Sequence, residues 1–342
     1  MNLFKKAAIF TDIHFGKRNN ERQHNEDCEA FVKWFIEECK SNNVDTIIFM
    51  GDYFDNRNSV HLSTLNYGLS NLEFLNDSGI PVYFILGNHD LFYKEKRELS
   101  SVAIGRNLSN IQIIDEITFK DGVLFCPWLV GTEWKDVEKL SKKSSYIFGH
   151  FELPHFMMNA MVEMPDHGGL KAEHLQDVEF MAFSGHFHKR QVKGKICYPG
   201  NPFPHNFSDV WDDDRGMAIV EWGKTPEFIP FPYAPKYKTL NLSELLEDPM
   251  NYIDSYTYAK ITNDLDLSYE EVQLIKETFQ YNFSPRRFDI STQSKHTDDS
   301  EYDSDSEFMT IDQIVMEGLL SIDSLSIDKN ILVELYKGLE NE

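Results

Sequence analysis

Residues 82–90 read Val-Tyr-Phe-Ile-Leu-Gly-Asn-His-Asp. The apolar run, rich in β-branched and aromatic residues, predicts a buried strand. It stops at a glycine, and the next three side chains are an amide, an imidazole and a carboxylate. The same rhythm occurs twice earlier. Residues 7–10 predict a strand ending at Asp12-Ile13-His14, and residues 46–50 a second ending at Gly51-Asp52. Between them, residues 28–39 (Phe31, Trp34, Phe35, Cys39) and 62–75 have helical spacing. Strands alternating with helices imply parallel pairing in an α/β sandwich, whose ligands gather at the carboxyl ends of the strands.

Downstream the pattern is denser in short strands: 111–114, 123–126, 146–148, 180–183, 217–220 and 228–231. The third and fourth lead into Gly149-His150 and Gly185-His186-Phe187-His188. Five polar motifs therefore follow five predicted strands, and all but the first begin with glycine. Glycine permits a sharp backbone turn, aiming the next side chain above the sheet. The donor atoms are imidazole nitrogens, carboxylate oxygens and one amide oxygen, a set suited to manganese, iron or zinc. Seven such residues exceed the needs of one tetrahedral ion and fit two ions about 3.5–4 Å apart, as used for in-line attack on phosphate esters. Any one of these histidines is more simply a hydrogen-bonded loop residue. The ordered series of five motifs is what argues otherwise.

In order, D-x-H, G-D-x-x-D, G-N-H-D, G-H and G-H-x-H resemble the calcineurin-like metallophosphoesterases over about residues 7–235. Gly51-Asp52-Tyr53-Phe54-Asp55, Gly149-His150-Phe151-Glu152, Tyr198-Pro199-Gly200-Asn201-Pro202 and Asp214-Arg215-Gly216 resemble more narrowly the SbcD-type DNA repair nucleases and their phage counterparts. The resemblance implies a four-layer α-β-β-α sandwich with a small accessory (capping) domain and a helical tail. It implies two divalent ions, manganese foremost: one held by Asp12, His14 and His188, the other by Asn88, His150 and His186, with Asp52 between them. It gives His89 the leaving oxygen, with Asp90 orienting its ring. The role of Asp55 stays open between site residue and turn residue. The resemblance further implies a DNA exonuclease/endonuclease in recombination and repair, a homodimer contact with residues 62–75 as candidate, and an SMC-like coiled-coil ATPase (SbcC type) docked through residues 308–342. A phosphatase or small-molecule phosphodiesterase of the same fold is the alternative, although Asn56 breaks the Asp-Arg step of the protein phosphatases. A non-catalytic scaffold has no need of His89.

Composition sets the remaining bounds. The 342 residues, 41% hydrophobic and 26% charged, are enough for a globular chain with a sizeable core. No apolar run approaches the roughly 18 residues of a membrane span, and Asp12 and His14 interrupt the first apolar run, so no signal peptide is expected. The four scattered cysteines form no C-x-x-C pair, which argues against a disulfide framework and fits a reducing cytoplasm; the resemblance implies that of a bacterial or phage-infected cell. Net charge is −23, but residues 291–342 hold 13 acidic and 3 basic residues, net −10. The phosphoesterase region is thus less acidic than the whole chain. Basic residues follow the motifs (Lys17, Arg18, Arg22; Lys94, Lys96, Arg97; Lys189, Arg190, Lys193, Lys195) and offer a rim for phosphate backbones. Tyr53, Phe54 and Phe92 offer stacking surfaces, or simply core. The expected domains are 1–235 for the phosphoesterase, 236–290 for a small α/β unit (strand 258–262, helix 269–279), 291–307 for an acidic linker, and 308–342 for two amphipathic helices. The capping-box pair Thr310 and Gln313 opens the first of these. From the residues alone, those helices either fold back on the body or dock on a partner.

Overall fold

The computed structural model describes residues 2–158 and 162–292. Its centre is two six-stranded sheets packed face to face. In the first, strand β1 (Lys6–Phe10), β2 (Thr46–Phe49) and β3 (Val82–Ile85) run parallel, with Ile111–Ile114 parallel beyond β3. Gly216–Glu221 and Glu227–Pro230 add antiparallel strands on the β1 side. In the second, β4 (Tyr146–His150) and β5 (Met181–Gly185) are parallel neighbours, flanked by the parallel strands Val123–Cys126 and Ile196–Tyr198. Antiparallel strands Thr118–Lys120 and Gln191–Lys193 close its two edges.

Alternation along each strand divides the core into layers. In β1, Ala7 and Ile9 face the second sheet and meet Phe125, Phe148 and Phe183 in the central core. Ala8 and Phe10 face outward, onto helix α1 (Arg22–Ser41) and helix α2 (Leu62–Asp77), where Phe31, Phe35 and Leu72 cover them. On the second sheet Leu124, Ile147 and Ala182 face outward, against Val137 of the helix Trp134–Ser141 and against Leu153, Phe156 and Leu175. The result is the expected α-β-β-α sandwich. Its outer layer over the second sheet is thin, one eight-residue helix and loops, because that segment alternates short strands with turns. Leu91–Tyr93 and Lys96–Ser100 form a two-stranded ribbon just after Asp90 that periodicity did not reveal.

Beyond residue 235 a three-stranded parallel sheet (Lys236–Asn241, Thr257–Asn263, Arg287–Thr292) has a core of its own. Ala259 and Ile261 pack there with Leu242, Leu245 and Phe279 of the connecting helices. The helix Tyr269–Phe283 starts at a capping box between Ser268 and Glu271. Two contacts tie this sheet to the first layers. Arg18 donates to Tyr237 Oη at 2.7 Å and Tyr258 Oη at 3.2 Å. Arg286 grips Asp27 of α1 with two bonds of 2.6 and 2.7 Å. The last strand reaches Thr292, two residues into the segment expected to be linker. The rest of that linker and the two amphipathic tail helices lie outside the described residues. No helix among the described residues is long and apolar enough to cross a membrane.

Candidate metal centre

All five motifs meet at the carboxyl ends of β1 to β5. Asp12, His14, Asp52 and His186 take φ of 54°, 52°, 62° and 89°, left-handed values that non-glycine residues rarely adopt. Such strain gathers at functional sites, held in place by the surrounding fold. The glycines serve a different end from the one sequence pattern assigned. Gly51 does turn left-handed, at φ 98°. Gly185 has no positive φ; it is required for space, since a Cβ there would lie 2.2 Å from Thr11 Oγ1 and 2.5 Å from the Met50 carbonyl oxygen.

Three groups of donors result, two of which hold the expected ligands. Asp12, His14 and His188 form the first, with His14 Nε2 and His188 Nε2 only 3.2 Å apart. Asp52, His150 and His186 form the second, joined by Asn88, whose Oδ1 lies 3.0 Å from His150 Nε2 and 2.9 Å from His186 Nδ1. Asp52 Oδ2 stands between them, 3.7 Å from His14 Nε2 and 3.4 Å from His150 Nε2. The outer edges of the rings are fixed. His150 Nδ1 sits 2.7 Å from the Met50 carbonyl, and Glu152 Oε1 lies 3.4 Å from His186 Nε2. Each ring is thereby turned so that its other nitrogen faces inward.

The electrostatics are those of a site made for cations. Burial, and then the Asp52 carboxylate, push Asp12 up to about 7. Burial drives His14 and His188 well below the usual imidazole range, with Lys17 next in each case. Two neutral imidazoles face each other beside buried carboxylates, a poor arrangement for protein groups alone. Divalent cations would relieve both the carboxylate repulsion and the facing lone pairs, so the donor set fits two such ions.

His89 falls in a third group, with His14 and Asp55. Its Nδ1 meets the Asp55 carbonyl oxygen at 2.5 Å, and its ring packs edge-on to His14 at 5.0 Å. Asp90 does not reach that ring. Its fully buried carboxylate accepts the backbone amides of Asp52 (2.9 Å), Tyr53 (2.9 Å) and Gly87 (2.8 Å). The expected orienting role therefore falls to the Asp55 backbone, and Asp90 clamps two ligand loops together. Asp55 also places Oδ1 3.4 Å from His14 Nδ1 and 3.2 Å from Lys17 Nζ. Its position is that of a supporting residue.

The basic rim is largely engaged elsewhere: Arg18 on the tyrosines above, Arg97 on Glu133, Arg190 on Asp214. Tyr53 and Phe54 are buried core, so of the three candidate stacking residues Phe92 alone is exposed. Sequence pattern missed His24 and His205, both buried. The His205 ring lies 5.7 Å from His14 and 5.4 Å from His188, centre to centre. It follows no strand-end glycine, and its nearness to Tyr198–Pro202 was the only signal. Arg215, also buried, donates to the His188 carbonyl and pairs with Asp209 and Asp212.

Paired clusters of candidate metal donors at the strand ends of such a sandwich point to a metal-dependent phosphoesterase. The calcineurin-like phosphoesterase family matches residues 5–190, and the chain belongs to that family. It is 32% identical over 208 residues to exonuclease subunit 1 of Enterobacteria phage T4, across 58% of this chain and 60% of that protein. The chain thus spans about 60% of that relative's length. Among solved structures it is similar to a dimetal phosphatase from Danio rerio (13% identity, TM-score 0.39, 65% of this chain and 93% of that one). It is also similar to the nuclease MPE of Pseudomonas putida (17% identity, TM-score 0.29, 56% of this chain and 66% of that one).

Proposed function

We propose that the chain is a two-metal DNA exonuclease/endonuclease subunit that hydrolyses phosphodiesters at DNA ends and on single strands, in recombination and repair. The likeness to a phage exonuclease subunit supports the nucleic-acid substrate. The observation that carries the chemistry is the pinned His89 ring beside two convergent donor groups. Asp12, His14 and His188 would hold one ion and Asn88, His150 and His186 the other, with Asp52 shared; manganese is the proposed metal. When bound, the ions supply positive charge opposite the phosphate oxygens and acidify water. The chain's own residues do the rest. With Nδ1 committed to the Asp55 carbonyl, His89 in its protonated form presents Nε2–H to the leaving oxygen and donates that proton as the P–O bond breaks.

Around this site we propose the three-stranded sheet as the accessory domain, residues 308–342 as the segment that docks an SMC-like ATPase, and a homodimer in the cytoplasm of a bacterial or phage-infected cell. The test is a nuclease assay with manganese on end-labelled duplex and single-stranded DNA, beside bis(4-nitrophenyl) phosphate. His89→Ala should bind metal as before and lose about two to four orders of magnitude in turnover. Lost metal content would make His89 a ligand. Dye hydrolysis without DNA cleavage, even with the ATPase present, would favour a small-substrate diesterase. Deleting residues 308–342 should abolish co-purification of the ATPase.

A further inference from the structure

Next to the metal centre lies a cleft of about 150 Å3 that the chemistry above does not use. One wall is His150 itself, so the cleft opens directly onto the second donor group. The others are aromatic or apolar: Trp128, Trp134, Phe151 and Leu170. Trp128 is close to the metal ligands, its ring 5.3 Å from that of His186 and 6.1 Å from that of His150. The Trp134 indole is held in plane by stacking on His174, at 5.2 Å and 20°. Cations accompany both indoles, with Lys94 Nζ 5.4 Å from the Trp128 ring and Lys135 Nζ 5.7 Å from the Trp134 ring. Glu152 adds a carboxylate at the edge, and Gly168 and Gly169 form an open rim where a Cβ would meet nothing within 4 Å.

A phosphate held between the two donor groups would place one of its ester substituents in this cleft. Rigid indoles suit a flat ring, the lysines suit a ligand that carries negative charge, and a carboxylate accepts from an exocyclic amino group. We infer that the Trp128–Trp134 cleft is a nucleobase subsite, holding the unpaired base of the nucleotide next to the scissile phosphate, with preference for bases that bear an amino group. This rests on the nuclease reading above and deepens it: a base can enter only if it has left the duplex stack, so frayed ends and single strands are the preferred substrates.

The experiment uses dye hydrolysis by the full chain as reporter and compares two inhibitors, dAMP and 2-deoxyribose 5-phosphate, which share the phosphate and differ by the base. In the wild type dAMP should inhibit at least tenfold more strongly. Trp134→Ala should bring the ratio below about threefold while metal content stays at the wild-type level. Trp134→Phe, which keeps a stacking ring, should retain most of the preference and guards against misfolding of the alanine variant. Equal inhibition of the wild type by both compounds, or an unchanged ratio in Trp134→Ala, overturns the subsite. DNA cleavage by the same preparation separates the two proposals. Cleavage without base preference removes the cleft and keeps the nuclease. Base preference without cleavage, even with the ATPase present, removes the nuclease and keeps the base site.

Discussion

The Asp90 carboxylate offers a sharp test of the architecture. Its two oxygens accept three backbone amides, those of Gly87 and Asp52 on Oδ2 and that of Tyr53 on Oδ1, and the side chain is wholly buried. Asp90→Asn keeps one oxygen, which can serve two of the amides. Its NH2 must then face the third, leaving that amide and the NH2 itself as unpaired buried donors, at about 1–3 kcal/mol each. Burial first, and then the charge of Asp52, push the Asp90 carboxyl up to about 6. The ionised form is therefore not fully compensated, and the neutral amide is spared part of the cost. The net expectation is about 2–4 kcal/mol for Asn. Asp90→Ala leaves three buried amides unpaired and should cost about 3–6 kcal/mol, since such costs do not add fully. Urea unfolding of the metal-free protein, followed by tryptophan fluorescence, measures both. Metal affinity should fall alongside stability, because the clamped loops carry Asp52 and Asn88. An Asp90→Ala protein within 1 kcal/mol of wild type, binding metal normally but catalytically dead, would refute the clamp and restore Asp90 as the partner of His89.

Gly185→Ala drives a Cβ to within 2.2 Å of Thr11 Oγ1 and 2.8 Å of His150 Nδ1. Backbone must shift, so stability should drop by about 1–3 kcal/mol and metal affinity at least tenfold; isothermal titration with normal affinity would contradict the close approach. Arg286→Ala strands Asp27, 4% exposed, without its two-bond partner. A loss of about 3–5 kcal/mol is expected, and a double-mutant cycle with Asp27→Ala should return a coupling above 1 kcal/mol. All four cysteines are buried, and burial pushes every thiol up, Cys197 to about 12. A thiol reagent at pH 8 should modify none in the native protein and four in urea; rapid native labelling would show that the core opens.

The corrections share a pattern. The resemblance placed Asp90 on the His89 ring, yet the carboxylate turns back to three amides because those donors are buried at the same strand ends. Tyr53 and Phe54 adjoin Asp52, but both pack into the core under α2, where Tyr53 donates to the Gly68 carbonyl. The basic residues after the motifs were legible as charge. Their partners were not, since Arg18 meets Tyr237 and Tyr258 more than 200 positions away.

By itself the sequence determined the alternation of strand and helix and the order of the polar motifs at strand ends. These are local properties: period-two burial, turn residues, and donor chemistry beside glycine. Tertiary structure alone decided which donors share a group, because the packing of the first sheet on the second sets the distance from His14, after β1, to His188, after β5, and from His150, after β4, to Asn88, after β3. It also decided why Gly185 must lack a side chain, what holds the His89 ring, and that His205 lies against His14 and His188. Each of these depends on atoms brought together across two sheets, and no spacing along one strand encodes that approach.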